Sequence, residues 1–222
     1  MLKELINAWK SNNLLDQAWE QSYEMLETTE DMFNEAVRVL RESEDEDIRQ
    51  EIRAKDKMVN SYEREVRRKV TTHLSIHCGT DIVASLVLIS IIIDLERLGD
   101  YTKNIVDLIG YRKGATLSGQ HLENDLKKIE DAVKENFKRT KECLENSDSQ
   151  GANQLLLDLD WVAEACDSGL KNLVKEKNET ISAGDSASLA VYFRWLKRIH
   201  RHLANVTTSV VNPFDRIGFD PK

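Results

Sequence analysis

The sequence of 222 residues is long enough for one or two domains, and its composition excludes several classes of protein. Nine glycines and two prolines are too few for the many turns of a β-rich fold, so we expect an all-α protein. The formal net charge of −8 repels phosphate backbones and argues against direct binding to nucleic acid.

Helical periodicity predicts three long helices in the first half of the chain. The first covers residues 14–43, where apolar residues recur at three- and four-residue steps. The second covers 46–76 and is followed by His-Cys-Gly-Thr-Asp, a sequence typical of a helix stop and restart. The third covers 81–110. Its first turns are apolar on nearly all sides, so we expect them to lie deep in the bundle.

A glycine-rich segment, residues 110–120, is the expected linker, and beyond it the three-helix pattern starts again. Helices are predicted there at about 120–147, 150–178 and 185–210. The chain therefore divides into two tandem three-helix units, residues 1–112 and 113–222.

Residues of the two halves match at nearly constant offsets, which indicates an internal repeat. Phe33 and Phe137 are 104 positions apart, in the first helix of each half. Arg97 and Arg198, in the third helices, are 101 positions apart. The loop before the third helix is therefore shorter in the second half.

Cysteine usage and hydropathy predict a cytoplasmic protein without a membrane span. Cys78, Cys143 and Cys166 lie far apart and form no Cys-x-x-Cys pair, which fits reduced thiols. The longest apolar run, residues 82–93, has 12 residues, whereas a membrane-spanning helix needs about 20. Residues 1–12 contain no apolar export segment.

An acidic pair in the third predicted helix suggests a metal site. Glu96 and Asp100 are four residues apart, so they project from one helix face and repel each other unless neutralised. Asp56 and Asn60 have the same spacing on the second helix, and an antiparallel pair of helices would bring the four side chains together. Such oxygen ligands suit Mg²⁺, Mn²⁺ or ferric iron. The alternative is a solvated helix face, because 32% of the residues are charged.

Gly99 lies between the two acids and supports a packing or binding role for this helix face. Glycine inside a helix costs about 1 kcal/mol relative to alanine, so its presence needs a compensating reason. Close approach of another helix or of a ligand would supply that reason.

Residues 95–105, Leu-Glu-Arg-Leu-Gly-Asp-Tyr-Thr-Lys-Asn-Ile, closely resemble the signature of the PhoU family of phosphate-uptake regulators. Leu98 and Tyr101 depart from that signature. Residues 196–206, Leu-Lys-Arg-Ile-His-Arg-His-Leu-Ala-Asn-Val, are a weaker second copy. The resemblance spans the whole chain and implies the family's fold, two three-helix bundles in tandem.

The resemblance implies a regulator of phosphate uptake and phosphate-responsive signalling that contacts a phosphate transporter ATPase, a sensor kinase or both, and it allows a homodimer. Two alternatives stay open. One is an accessory protein of a sodium/phosphate or potassium transport system, and the other is a helical-bundle carboxylate metalloenzyme. The enzyme class requires Glu-x-x-His motifs on its helices, and none of the five histidines has a glutamate three residues before it. We therefore expect no enzyme activity.

In the family, acidic pairs from neighbouring helices hold multinuclear metal clusters. Carried over to this sequence, the resemblance implies metal ligation by Asp56, Glu96 and Asp100, with Asn60 where the family tends to have a further acid. The resemblance implies iron or zinc, and the oxygen-rich donors also suit manganese or magnesium.

The second half departs from the family pattern at the same positions. Lys197 and Arg201 stand where the family has its acidic pair, and His200 stands in the glycine position. Asp160 and Glu164 remain on the facing helix, again four residues apart. We expect these four charged side chains to neutralise one another in an ion-pair cluster that replaces the metal.

Overall fold

The computed structural model describes residues 14–42, 46–77, 81–111, 123–175 and 181–221. Within these ranges it contains no strand and seven α-helices: α1 (Leu14–Glu42), α2 (Glu46–Ile76), α3 (Ile82–Tyr111), α4 (Glu123–Asn146), α5 (Ser149–Asp158), α6 (Trp161–Val174) and α7 (Ala183–Val211). A short 3₁₀ helix, Phe214–Arg216, follows α7. The predicted all-α class is confirmed. The predicted boundary between residues 112 and 113 lies outside the described residues.

The middle helix of the second half differs from its prediction because it is interrupted. Leu159 leaves the helical region, with φ −109° and ψ 7°, and separates α5 from α6. The N–H of Val162 then donates to the carbonyl of Leu159 at 3.1 Å, a tight three-residue turn that restarts the helix. The sequence at this point contains neither glycine nor proline, the residues that usually indicate the end of a helix.

Each half forms a three-helix bundle, and the two bundles pack on each other through two helix pairs. In the first half α1, α2 and α3 contact one another, and in the second half α4, α7 and the α5–α6 pair do the same. Between the halves, α3 packs on α7 and α1 packs on α4. Buried apolar side chains of both halves form one continuous core.

Equivalent residues of the internal repeat meet at the contact between the halves. The rings of Phe33 and Phe137 are both fully buried, with their centroids 5.5 Å apart. The rings of Tyr101 and His202, which are equivalent at the offset of 101 positions, stack at 5.6 Å between α3 and α7. A pseudo-twofold axis therefore passes between the two halves.

The expectation that the first turns of α3 lie deep in the core is only half right. Leu88, Ile91 and Ile92 are buried, but Val83 is 66% exposed and Ile93 is 42% exposed. The helix has α1, α2 and α7 as its main neighbours, and its remaining side faces solvent. In the described ranges, none of the helices combines the length and the apolar character that crossing a bilayer would require.

Close packing alone does not explain Gly99. A Cβ added there would lie 3.5 Å from Cγ1 of Val59 and 3.6 Å from Oδ1 of Asp56, which are ordinary contact distances. A tight approach to an aromatic ring occurs instead at Gly169 in α6, where an added Cβ would lie 2.6 Å from the ring of Phe193. The described structure therefore requires glycine for packing at Gly169 and not at Gly99.

Candidate functional site

The predicted acidic residues lie on the facing sides of α2 and α3. Two ion pairs join these helices: Asp56 of α2 contacts Lys103 of α3, and Arg53 of α2 contacts Asp107 of α3. Because the partner on α3 lies further along the chain when the residue on α2 lies earlier, the two helices run antiparallel. Asp56 is buried in this contact, and Asn60, one turn further along, is half-buried. The expected antiparallel arrangement of the two acidic faces is thus present.

Lys103 joins the two aspartates that the sequence singled out. Its Nζ lies 3.0 Å from Oδ2 of Asp56 and 3.0 Å from Oδ1 of Asp100. The side-chain amide of Asn60 donates to the same Asp56 oxygen at 3.4 Å. Although desolvation acts to lower it, hydrogen bonds to Asp100 and Asp56 raise the pKa of Lys103 above its usual value. The ammonium is therefore firmly charged and forms an internal counter-ion.

Arg97 supplies a second cation beside the acidic pair. Its Nη1 lies 2.7 Å from Oδ2 of Asp100, and its Nε lies 3.4 Å from Oε2 of Glu96. Burial, and then the negative charge of Asp100, raises the pKa of Glu96 above its usual value, while Arg97 lowers it. Glu96 is therefore the least well compensated carboxylate of the set.

As placed, these side chains do not fit a metal ion. Among the residues that the structure describes, no group of three or more His, Cys, Asp or Glu side chains is arranged to hold one. The ammonium of Lys103 lies between Asp56 and Asp100, where a bridging cation would bind. Metal ligation by Asp56, Asn60, Glu96 and Asp100 stays a prediction, and any metal must compete with Lys103.

This competition predicts that Lys103→Met binds divalent metal at least about tenfold more tightly than the wild type, because one positive charge no longer opposes the cation. In chelator the variant should be less stable by about 1 to 3 kcal/mol, since buried Asp56 loses its cationic partner. Calorimetric titration with Mn²⁺ and Zn²⁺ and thermal melts with chelator measure both effects.

The matched control is Lys55→Met, because Lys55 pairs with Glu51 of the same helix at 2.9 Å and not with any of the four predicted ligands, and the net charge changes by the same amount. Its metal affinity should equal that of the wild type. Equal affinities for Lys103→Met and Lys55→Met would contradict a role of Lys103 as the competing cation.

In the second half the expected ion-pair cluster is not formed. Lys197 pairs with Asp167 of α6, a residue outside the predicted set. Asp160, Glu164 and Arg201 are exposed, and within the described ranges none of them makes an ion pair. The prediction of a pair with Glu164 is wrong because Glu164 and Asp167 share one face of α6, and the register of α6 on α7 places Asp167 opposite Lys197.

His200, which takes the motif's glycine position, is a core residue. It is buried, and its Nδ1 lies 3.0 Å from the side-chain nitrogen of Asn136 in α4. Burial, and then the charge of Arg201, lowers the pKa of His200 to about 4, so the ring is neutral at pH 7. A small cavity of about 40 Å³ beside it, lined also by Asp160 and Arg201, corresponds to the acidic site of the first half.

The other acids of the α3 segment hold helices together, a role that the sequence analysis missed. Asp94 accepts hydrogen bonds from α7, with Nδ1 of His202 at 2.6 Å and Nδ2 of Asn205 at 3.0 Å. Asp107 pairs with Arg53 of α2 at 2.6 Å. Asp94 had a signal in the sequence, since two residues of the second motif, His202 and Asn205, are good hydrogen-bond partners for a carboxylate.

Comparison with known proteins agrees with this architecture. A family model described as the PhoU domain matches residues 23–109. PhoU from Pseudomonas aeruginosa has a similar structure, with a TM-score of 0.78 and 20% sequence identity over 90% of this chain and 96% of that chain. The phosphate transport system regulatory protein PhoU from Streptococcus pneumoniae has a TM-score of 0.77 and 15% identity, over 88% of this chain and 92% of that chain.

A search of curated protein sequences finds no match. At these identities the two solved structures show the fold alone, and the family model adds a sequence match within the first half of the chain. The resemblance seen at residues 95–105 is thereby confirmed, because that segment lies inside the matched region. A family model of the PhoU domain thus matches residues 23–109, and the chain as a whole has a fold similar to that of the two PhoU structures.

Proposed function

We propose that this protein regulates phosphate uptake and phosphate-responsive signalling, and that it acts by contact with other proteins and not by catalysis. The observation that carries this proposal is the PhoU domain at residues 23–109, in a chain whose fold is similar to that of a phosphate transport system regulatory protein over 88% of its length.

The partners we propose are a phosphate transporter ATPase, a sensor kinase or both, as the family resemblance implies. A protein partner also suits the charge of the molecule. The net charge of −8 opposes association with DNA, so any effect on transcription should pass through another protein. Metal binding at Asp56, Glu96 and Asp100 is a separate proposal, and the regulatory role does not depend on it.

Deletion of the gene tests this function directly. In phosphate-replete medium the deletion strain should accumulate more phosphate and should derepress phosphate-responsive transcription, and the full-length chain supplied in trans should reverse both effects. Unchanged phosphate accumulation and transcription would contradict the proposal. Parallel uptake measurements with rubidium, a potassium analogue, separate the alternatives, because altered rubidium uptake with normal phosphate uptake would assign the protein to potassium transport.

A further inference from the structure

Three arginines form an exposed row on α7. Arg194, Arg198 and Arg201 are spaced four and three residues apart, so they lie along one stripe of the helix. Within the described ranges none of the three makes an ion pair or a side-chain hydrogen bond. Unpaired cations in a row are unexpected on a protein whose net charge is −8.

The charges of the molecule are segregated between helices. The sequence of α1 contains eight acidic residues and two arginines, whereas that of α7 contains one acidic residue and four basic ones. The main neighbours of α1 are α2, α3 and α4, and those of α7 are α3, α4, α5 and α6. The arginine row is thus a local cationic surface on a largely acidic molecule.

An exposed apolar stripe lies on the neighbouring helix. Val83, Leu86 and Ile93 of α3 are exposed and follow one another at three- and seven-residue steps, on one helix face. The residues of α7 equivalent to positions 93 and 97 are Arg194 and Arg198, so the two stripes are related by the pseudo-twofold axis. Since α1 and α4 cover the opposite side of the α3–α7 pair, both stripes open to the same side.

We propose that this α3–α7 face, formed by Val83, Leu86, Ile93, Arg194, Arg198 and Arg201, is a docking surface for an acidic amphipathic segment of a partner protein. Apolar side chains of the segment pack on the α3 stripe, and its carboxylates pair with the arginines of α7. Guanidinium groups match carboxylates in charge and in geometry, and the apolar stripe adds area that is removed from water.

The same features disfavour other occupants. A symmetric contact between two copies of the chain through this face would place both arginine rows in one interface, where like charges repel. The phosphate backbone of a nucleic acid would not pack on the apolar stripe, and it is repelled by the net charge of −8. The inference rests on the proposed function only in taking the partner to be a protein.

The test uses the purified full-length chain and a fluorescein-labelled synthetic peptide, an amphipathic helix with leucines on one face and glutamates beside them. Fluorescence anisotropy should show saturable binding that weakens as the salt concentration rises. The double variant Arg194→Gln/Arg198→Gln should bind about tenfold more weakly, because two charge-assisted contacts are lost. Ile93→Ser should weaken binding through the apolar stripe.

The matched control is Arg64→Gln/Arg68→Gln on α2. These two arginines are also exposed and four residues apart, so the spacing and the change in net charge are the same. The control should change the affinity less than about twofold, since distant exposed charges are screened.

Several outcomes would overturn the inference. The first is the absence of saturable peptide binding. The second is an equal loss of peptide affinity in Arg194→Gln/Arg198→Gln and in the control Arg64→Gln/Arg68→Gln. The third is binding of the protein to phosphatidylglycerol vesicles without any binding to the peptide. A concentration-dependent dimer in sedimentation that Ile93→Ser abolishes would assign the face to a second copy. None of these measurements depends on the phosphate phenotype of the deletion strain, so failure of the docking surface and failure of the proposed function are distinguishable.

Discussion

Replacing Phe137 with alanine should lower the free energy of unfolding by about 3 to 5 kcal/mol, the largest effect expected from a single substitution in this chain. The ring is fully buried and contacts the ring of Phe33 across the junction of α1 and α4. Its removal exposes apolar surface and leaves a cavity between the two halves. Urea denaturation of the full chain measures the loss.

The double variant Phe33→Ala/Phe137→Ala should lose less than the sum of the two single variants, with a coupling of about 1 kcal/mol, because the second substitution removes a contact that is already gone. The control is Phe214→Ala, the same chemical change at a side chain that is 41% exposed, for which a loss below about 1 kcal/mol is expected. Strict additivity of the two buried substitutions would show that the rings do not couple the halves.

The second large effect is expected at Glu130 of α4, which is only 2% exposed. Its carboxylate accepts a hydrogen bond from Nε of Arg41 in α1 at 2.7 Å and another from the hydroxyl of Tyr192 in α7 at 2.8 Å. Glu130→Ala should cost about 3 kcal/mol, since the buried tyrosine hydroxyl loses its acceptor and Arg41 loses this carboxylate. The exposed pair Glu35–Arg38 is the control, because Glu35→Ala should cost less than about 1 kcal/mol.

Glu130 should also make stability depend on pH. Burial raises the pKa of Glu130 above the usual 4.5, and the hydrogen bonds of Arg41 and Tyr192 offset only part of that effect. The pKa of Glu130 is higher in the folded state than in the unfolded state. Its contribution to the stability of the fold is therefore fully present at a pH below the pKa of the unfolded state, and it is lost as the pH rises through the pKa of the folded state.

Glu130→Gln keeps an acceptor oxygen and cannot ionise, so it should cost less than Glu130→Ala and flatten the decline in stability above pH 4.5. Chemical denaturation at a series of pH values, for the wild type and both variants, compares the slopes. A wild-type slope that matches the Gln variant throughout this range would contradict the assignment.

The helices and their repeat were predictable from the sequence because the signals are local. Apolar residues at three- and four-residue steps mark the buried face of each helix, and the match of Phe33 with Phe137 needs only the sequence itself. The exposed side of α3 was not predictable in this way, because an apolar helix surface does not reveal how many neighbours the helix has.

Partners within the site depend on helix register, which the sequence does not encode locally. A shift of one turn, about 5.4 Å, exchanges one partner for another on the same helix face. Lys197 could therefore have faced Glu164 as well as Asp167, and only the packing of α6 on α7 decides between them. For the same reason Lys103 was overlooked between Asp56 and Asp100, although it is three residues from Asp100 on the same helix.

Equivalent residues of the two halves touch each other across both helix pairs, Phe33 with Phe137 and Tyr101 with His202. This is the geometry of a twofold homodimer, with both subunits contained in one polypeptide. In such a homodimer every substitution appears twice, once in each subunit. A single polypeptide lacks that constraint, so one half can have Gly99 while the other has the buried His200 at the equivalent position, and the two halves can differ at their sites while their core contacts stay symmetric.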